Sequence, residues 1–299
     1  MSLFDKLVVT TLPLVPKFIV GKVASRYVAG STLQDAIETI KALNAEGACC
    51  TVDLLGEEIT EMSKAEEAVV TYEDVLDAIV EHQLDCNISV KPTQLGLGLD
   101  DDQCRTYYER LVSKAKAQDC FVRLDMEDRH TTDATIALFR HLHGTYGNAG
   151  PVFQAYMRRT LKDIEELPAE GVNVRLCKGI YIEPREDAWK GFDTVRRNFV
   201  TALEKLFRQG VYVGIATHDE YLCCAAVELI DRLQVPKDRY EFQMLLGVEN
   251  QLRKILIAEG HKLRVYVPYG RDWYLYSMRR LRENPQVAGH VMRAMLRGD

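Results

Sequence analysis

"VNVRLCKGIYIEPREDAWKGFDTVRRNFVTALEKLFRQGVYVGIATHD", residues 172–219, decides the fold. It passes from a β-branched run, "VNVRLCKGIY", through an amphipathic stretch, "FDTVRRNFVTALEKLF", to a second strand-like run, "VYVGIATHD". Strand, helix and strand in that order make a parallel βαβ unit. The exchange repeats along the chain, with strand-like runs at "ACCTVDLLG", "CNISVKPT", "CFVRLDMED", "PVFQAYM", "YEFQMLLGV" and "KLRVYVPYG". In "STLQDAIETIKALNAEG" a first helix is expected, with Ser31 and Gln34 as its capping box, Leu33, Ala36, Ile37, Ile40 and Leu43 at helical spacing, and Gly47 as its stop. Aspartates 100–102 open another, "DDQCRTYYERLVSKAKA", at the end where the helix dipole favours acid. Eight strands alternating with helices fit an α/β fold of the (β/α)8 TIM-like type better than an open doubly wound sheet. No G-x-G-x-x-G turn follows an early strand, so a Rossmann domain has no foothold.

The composition is that of a soluble globular protein: 299 residues, 47% hydrophobic, with a net charge of -6. That acidic balance excludes a general nucleic-acid binder, which needs a basic footprint to displace counterions. Eight cysteines, among them the vicinal pairs Cys49-Cys50 and Cys223-Cys224, form no C-x-x-C knuckle and read as reduced core residues of a cytosolic protein. The N-terminal "LVVTTLPLVPKFIV" is interrupted by Pro13 and Pro16 and is too short to span a membrane, although it could rest on a membrane surface. No linker-like or low-complexity tract divides the chain. One domain over residues 1–299 is expected, with 1–45 as an N-terminal helical extension.

A barrel of this kind gathers its site at the C-terminal ends of the strands. The second strand delivers Lys91, the third Asp125, the fourth Gln154, and the fifth Arg175, Lys178 and Tyr181. The sixth delivers Thr217, His218 and Asp219, the seventh Gln243 and the eighth Tyr266. Lys178 suits either a Schiff-base nucleophile or a cation for a phosphate. His218 suits hydrogen bonding better than metal ligation, since no second histidine or cysteine stands at ligand spacing; "HLH" at 141–143 lies in a helix, where residues two apart diverge. Asp125 reads as a partner for Arg123 or Lys91. After the last strand, "WYLYSMRRLREN" puts Trp273, Tyr276 and Arg280 on one helix face, flanked by Arg279. Paired guanidinium forks beside aromatics suit a small organic acid, although a solvated basic helix has the same pattern. With no nucleophile-and-base pair and no metal cluster evident, a cofactor would carry the chemistry.

The motifs "SVKPTQLG", "RLDMED", "QAYMRRT", "VRLCKGIY", "ATHD", "EFQMLLG", "YVPYG" and "YSMRRLREN" resemble those of proline dehydrogenases of the monofunctional bacterial type, in order, from about residue 18 to the C-terminus. The resemblance implies a distorted (β/α)8 barrel whose last helix lies over the C-terminal mouth. It implies FAD as cofactor, L-proline as substrate, oxidation to 1-pyrroline-5-carboxylate, and a quinone as electron acceptor. On the same ground Arg279 and Arg280 hold the substrate carboxylate, Lys91 pairs with Asp125 and reaches that carboxylate, Tyr181 and Tyr276 pack on the ring, and Leu245 lines its edge. Gln154, Arg175, Lys178, Thr217, His218 and Glu283 match FAD-binding positions. A lipid-dissolved acceptor implies a cytoplasmic protein touching the inner face of the membrane peripherally. A separate pyrroline-5-carboxylate dehydrogenase is expected to take the product, because no aldehyde dehydrogenase domain follows. Ile180 departs from the alanine common in "KGAY", adding bulk near the cofactor. A Schiff-base lyase using Lys178 and a non-catalytic binding barrel stay open as alternatives, and Tyr276 makes proline a better fit than hydroxyproline.

Overall fold

The computed structural model describes residues 26–56, 59–168, 171–274 and 276. Eight parallel strands close a barrel in chain order: β1 (Cys49–Leu54), β2 (Cys86–Val90), β3 (Val122–Leu124), β4 (Ala149–Gln154), β5 (Asn173–Cys177), β6 (Tyr212–Ala216), β7 (Tyr240–Leu245) and β8 (Leu263–Tyr269). Closure is made by β1 on β8, with Cys50 opposite Val265 and Val52 opposite Val267. Helix α1 (Leu33–Ala45) precedes the barrel. Helices α2 (Met62–Glu81), α3 (Asp101–Ala117), α4 (Thr132–Tyr146), α5 (Thr160–Glu165), α6 (Phe192–Arg208), α7 (Glu220–Leu233) and α8 (Asn250–Ala258) each connect one strand to the next. The expected (β/α)8 architecture is therefore present. Among the described residues no helix is long and apolar enough to cross a membrane.

The period-two alternation of each strand separates two environments. Val52, Ile88, Val90, Leu124, Val174, Val213, Phe242 and Val267 face outward and pack under the helices, all within 2% of full burial. Their alternates point into the barrel and include Asp53, Ser89, Arg123, Arg175, Glu241, Gln243 and Arg264, all buried. Such barrels ordinarily fill their interior with Val, Ile and Leu. This interior is held by hydrogen bonds and ion pairs instead.

Helix α1 starts one residue away from its expected cap. Thr32 is extended (φ -118°, ψ 158°), so the third helical residue is Asp35, not the residue paired with Ser31. The Asp35 amide donates to Thr32 Oγ1 (3.2 Å) and the Thr32 amide to Asp35 Oδ2 (2.9 Å), closing the box. Gln34 instead reaches Glu38. The aspartate run of α3 behaves as read: Asp100 Oδ1 accepts from the Gln103 amide, and Asp101 and Asp102 fill the first turn. Beyond β8, residues 273, 274 and 276 are helical, and Tyr276 is buried in a cluster with Tyr27, Val28 and Leu55. Arg279, Arg280 and Glu283 lie outside the described residues.

Candidate active site

The strand ends surround a cavity of about 790 Å³. Lys91, Asp125, Gln154, Arg175, Lys178, Tyr181, Thr217, His218, Leu245 and Tyr276 all line it. Thus every expected site residue within the described part of the chain reaches one space: Arg175 points inward from the middle of β5, Tyr276 comes from the helical turn after β8, and the others sit at or just beyond the C-terminal ends of their strands. Tyr276, in the helical turn after β8, contributes its side chain to the same lining.

At the floor, the pairing expected between Lys91 and Asp125 is made differently. Lys91 Nζ bonds both carboxylate oxygens of Asp53, at 2.7 and 2.9 Å, and the Asp53 side chain is fully buried. Asp125 belongs to Arg175: its Oδ1 accepts from Arg175 Nη1 (2.7 Å) and Ser89 Oγ (2.7 Å), and its Oδ2 from the Tyr266 hydroxyl (2.9 Å). Register explains the exchange, since Asp53 stands opposite Ser89 on the neighbouring strand, two residues before Lys91. Burial pushes the Asp53 carboxyl up to about 6, against the pull of Lys91 and with help from the charge on Asp125. Asp53 carries a signal legible in the sequence but absent from the expected set: it is the inward residue near the end of "CCTVDL", the position that supplies site residues on the other strands.

Lys178 and Arg196 converge on one carboxylate. Asp219 accepts from Lys178 Nζ (3.2 Å) and from Arg196 Nε and Nη2 (2.9 and 2.7 Å). Burial opposes ionisation of Asp219, but Arg196 and Lys178 outweigh it and hold its carboxyl below the usual range. Lys178 is thereby tied to a carboxylate shared with Arg196, a geometry suited to an electrostatic contact at the cavity rim. Arg196 comes from the first turns of α6 and also lines the cavity; nothing in its helical pattern set it apart from a surface arginine. His218 Nε2 accepts from the Leu245 amide (2.8 Å), so that nitrogen is deprotonated and already occupied. Among the described residues no group of three or more His, Cys, Asp or Glu could hold a metal.

Two polar edges are left turned to the cavity. Gln154 Nε2 donates to the Glu127 carbonyl (2.8 Å), leaving its Oε1 without a partner among the described residues. Arg175 uses Nε and Nη1, leaving Nη2 without one. An acceptor and a donor from neighbouring strands, with two further cations lining the same cavity, suit the alternating carbonyl and N–H edge and the diphosphate of a flavin dinucleotide. The cavity wall approaches closely at Gly179 (φ +102°), where a Cβ would fall 2.1 Å from the Tyr156 ring.

A sequence model of the proline dehydrogenase family matches residues 36–293. Proline dehydrogenase 1 of Bacillus subtilis (strain 168) is 35% identical over 274 residues, covering 92% of this chain and 91% of its own length. Proline dehydrogenase of Deinococcus radiodurans is 36% identical over 280 residues, covering 92% and 90%. Among solved structures, proline utilization A from Bdellovibrio bacteriovorus, inactivated by N-propargylglycine, superposes with a TM-score of 0.82 at 23% identity. That alignment takes in 88% of this chain but 32% of the larger protein, and it supports the barrel. With the family model spanning most of the barrel and relatives above a third identical along nearly their whole length, this chain belongs to the proline dehydrogenase family.

Proposed function

We propose that this barrel oxidises L-proline to 1-pyrroline-5-carboxylate, the first step of proline catabolism to glutamate, with FAD in the strand-end cavity and a quinone as final electron acceptor. The single observation that carries this is the convergence of ten residues, from strand ends two to seven and from the last helix, on one cavity of about 790 Å³. When bound, FAD supplies the acceptor for the hydrogen and electron pair leaving the ring carbon next to the substrate nitrogen.

The chain's own residues bind and orient. Lys91, fixed by Asp53, offers an ammonium to the substrate carboxylate, and Arg279 and Arg280 complete the clamp; bidentate guanidinium contacts in a water-poor site are strong and directional. Tyr181, Tyr276 and Leu245 pack the ring, while Gln154, Arg175, Lys178, Thr217, His218 and Glu283 hold the cofactor. The substrate ammonium must lose a proton before oxidation. Asp125 is a poor base for that step, because both its oxygens already accept from Arg175, Ser89 and Tyr266. Solvent therefore takes the proton, and rate rises with pH. The product passes to a separate pyrroline-5-carboxylate dehydrogenase, and the lipid-soluble quinone draws the protein peripherally to the membrane.

The purified protein should show a visible flavin band that L-proline bleaches without oxygen. A flavin band that proline leaves unchanged would move the substrate to another cyclic amino acid, and a colourless protein that takes up no added FAD would defeat the reading.

A further inference from the structure

Beneath Arg175 lies a chain of buried contacts that reaches the opposite side of the barrel. Gln243 on β7 is 5% exposed, and both ends of its carboxamide are committed. Its Oε1 accepts from Arg175 Nε at 2.6 Å, and its Nε2 donates to Glu241 Oε1 at 2.7 Å. Guanidinium only donates and an ionised carboxylate only accepts, so the amide has one permitted orientation. Glu241 is fixed in turn: Arg264 Nε and Nη2 reach it at 2.7 and 3.1 Å, and the Tyr212 hydroxyl at 2.9 Å. Space for the amide is reserved on the adjacent strand by Gly214, where a Cβ would stand 2.3 Å from Gln243 Nε2. Register makes that approach unavoidable, since Gly214 and Ala216 of β6 pair with Glu241 and Gln243 of β7.

We propose that Gln243, in the gap left by Gly214, is the positioning residue that sets the plane of the Arg175 guanidinium, and so fixes the direction in which its unused Nη2 edge meets the cofactor. The inference rests on the flavin reading above. Three contacts define that plane: Gln243 at Nε, with Ser89 and Asp125 at Nη1. Ser89 and Asp125 hold a single nitrogen, about which the guanidinium can still pivot; Gln243 removes that freedom. A neutral amide also leaves Arg175 with one carboxylate partner instead of two, so more of its positive field falls on the cavity. A cation directed at a bound flavin favours the electron-rich reduced form.

The test compares the midpoint potential of bound FAD in the wild-type holoenzyme with that of Gln243→Leu, which keeps volume but loses both hydrogen bonds. The expected result is a loss of about tenfold in preference for reduced over oxidised FAD, read as a fall of about 30 mV for a two-electron couple. The Kd for FAD should rise several-fold and kcat should fall more than KM for proline changes. Gly214→Ala leaves Gln243 in the chain but displaces its amide, and should shift the potential in the same direction. If Gln243→Leu loses the wild-type far-UV spectrum, Gly214→Ala decides the matter by the same potential. A yellow wild type whose potential is matched by the folded variant overturns the positioning role and leaves the flavin reading intact. A wild type that binds no FAD overturns both.

Discussion

Asp53 and Lys91 show how one residue can be both a cost and a tool. A carboxyl raised to about 6 is destabilised in its charged form, so the native state holds that proton between about pH 4 and 6 while the unfolded chain does not. Above about pH 6 the ionised carboxylate grips Lys91. The activity prediction follows that sign: kcat/KM for proline should fall as pH drops through about 6, over and above the loss caused by the substrate ammonium. Asp53→Asn should remove this acid limb and lower kcat/KM by about tenfold, the size of a lost charge-assisted contact. A pH profile of the variant with an unchanged acid limb would assign that limb to the substrate alone. For the carboxylate clamp proposed above, Arg280→Met should raise KM for proline at least tenfold and leave the flavin spectrum intact; an unchanged KM would remove Arg280 from the clamp.

At the scale of the element, the loop between β5 and α6 is held at several points. The Arg129 amide donates to Glu183 and its Nη1 to Asp187, the Trp189 amide donates to the Tyr156 carbonyl, and the Arg158 guanidinium lies 3.7 Å from the Trp189 ring centre. These contacts fix the loop that carries Ile180 and Tyr181 to the cavity rim. Gly179 is the pivot, so Gly179→Ala should cost about 1–3 kcal/mol from left-handed strain and ring collision, with weakened FAD retention. Denaturant midpoints and FAD dissociation would measure the two effects separately. At helix α1, Thr32→Ala should cost about 1 kcal/mol, a cap value, with no effect on KM.

Over the whole molecule, stability should follow the buried ion pairs of the barrel interior. Burial by itself would raise Glu241, but Arg264, Lys262 and Gln243 overrule it and hold the carboxyl at about 2. A depressed carboxyl contributes stability above its unfolded pKa, lost as pH falls from about 4.5 toward 2; that contribution is about 3 kcal/mol. Asp53 acts with the opposite sign between about pH 6 and 4, so the acid unfolding limb should begin only below about pH 4.5. Glu241→Gln should flatten that limb and destabilise the barrel by about 3–5 kcal/mol at neutral pH, because Arg264 is left buried with its charge uncompensated. Urea unfolding across pH checks both slopes.

By itself the sequence determined the barrel and, among the described residues, which strand-end side chains meet at its mouth, since alternation along strands and turns at their ends are local patterns that survive without the fold. The eight strand-like runs and the residues at their ends needed no tertiary knowledge, because parallel strands deliver their C-terminal residues to one face whatever the packing. The partners within that face were another matter. Whether Lys91 meets Asp125 or Asp53 depends on register between β1 and β2, and the reach of Gln243 to Arg175 depends on the gap at Gly214. The cap of α1 shifted by one residue because the backbone, not the motif, decides where helical geometry begins. Arg196 was indistinguishable from a solvated helix arginine until α6 placed it against Asp219. Distances of 2.7 Å between side chains far apart in sequence are fixed by strand offset and closure, which only the tertiary structure sets.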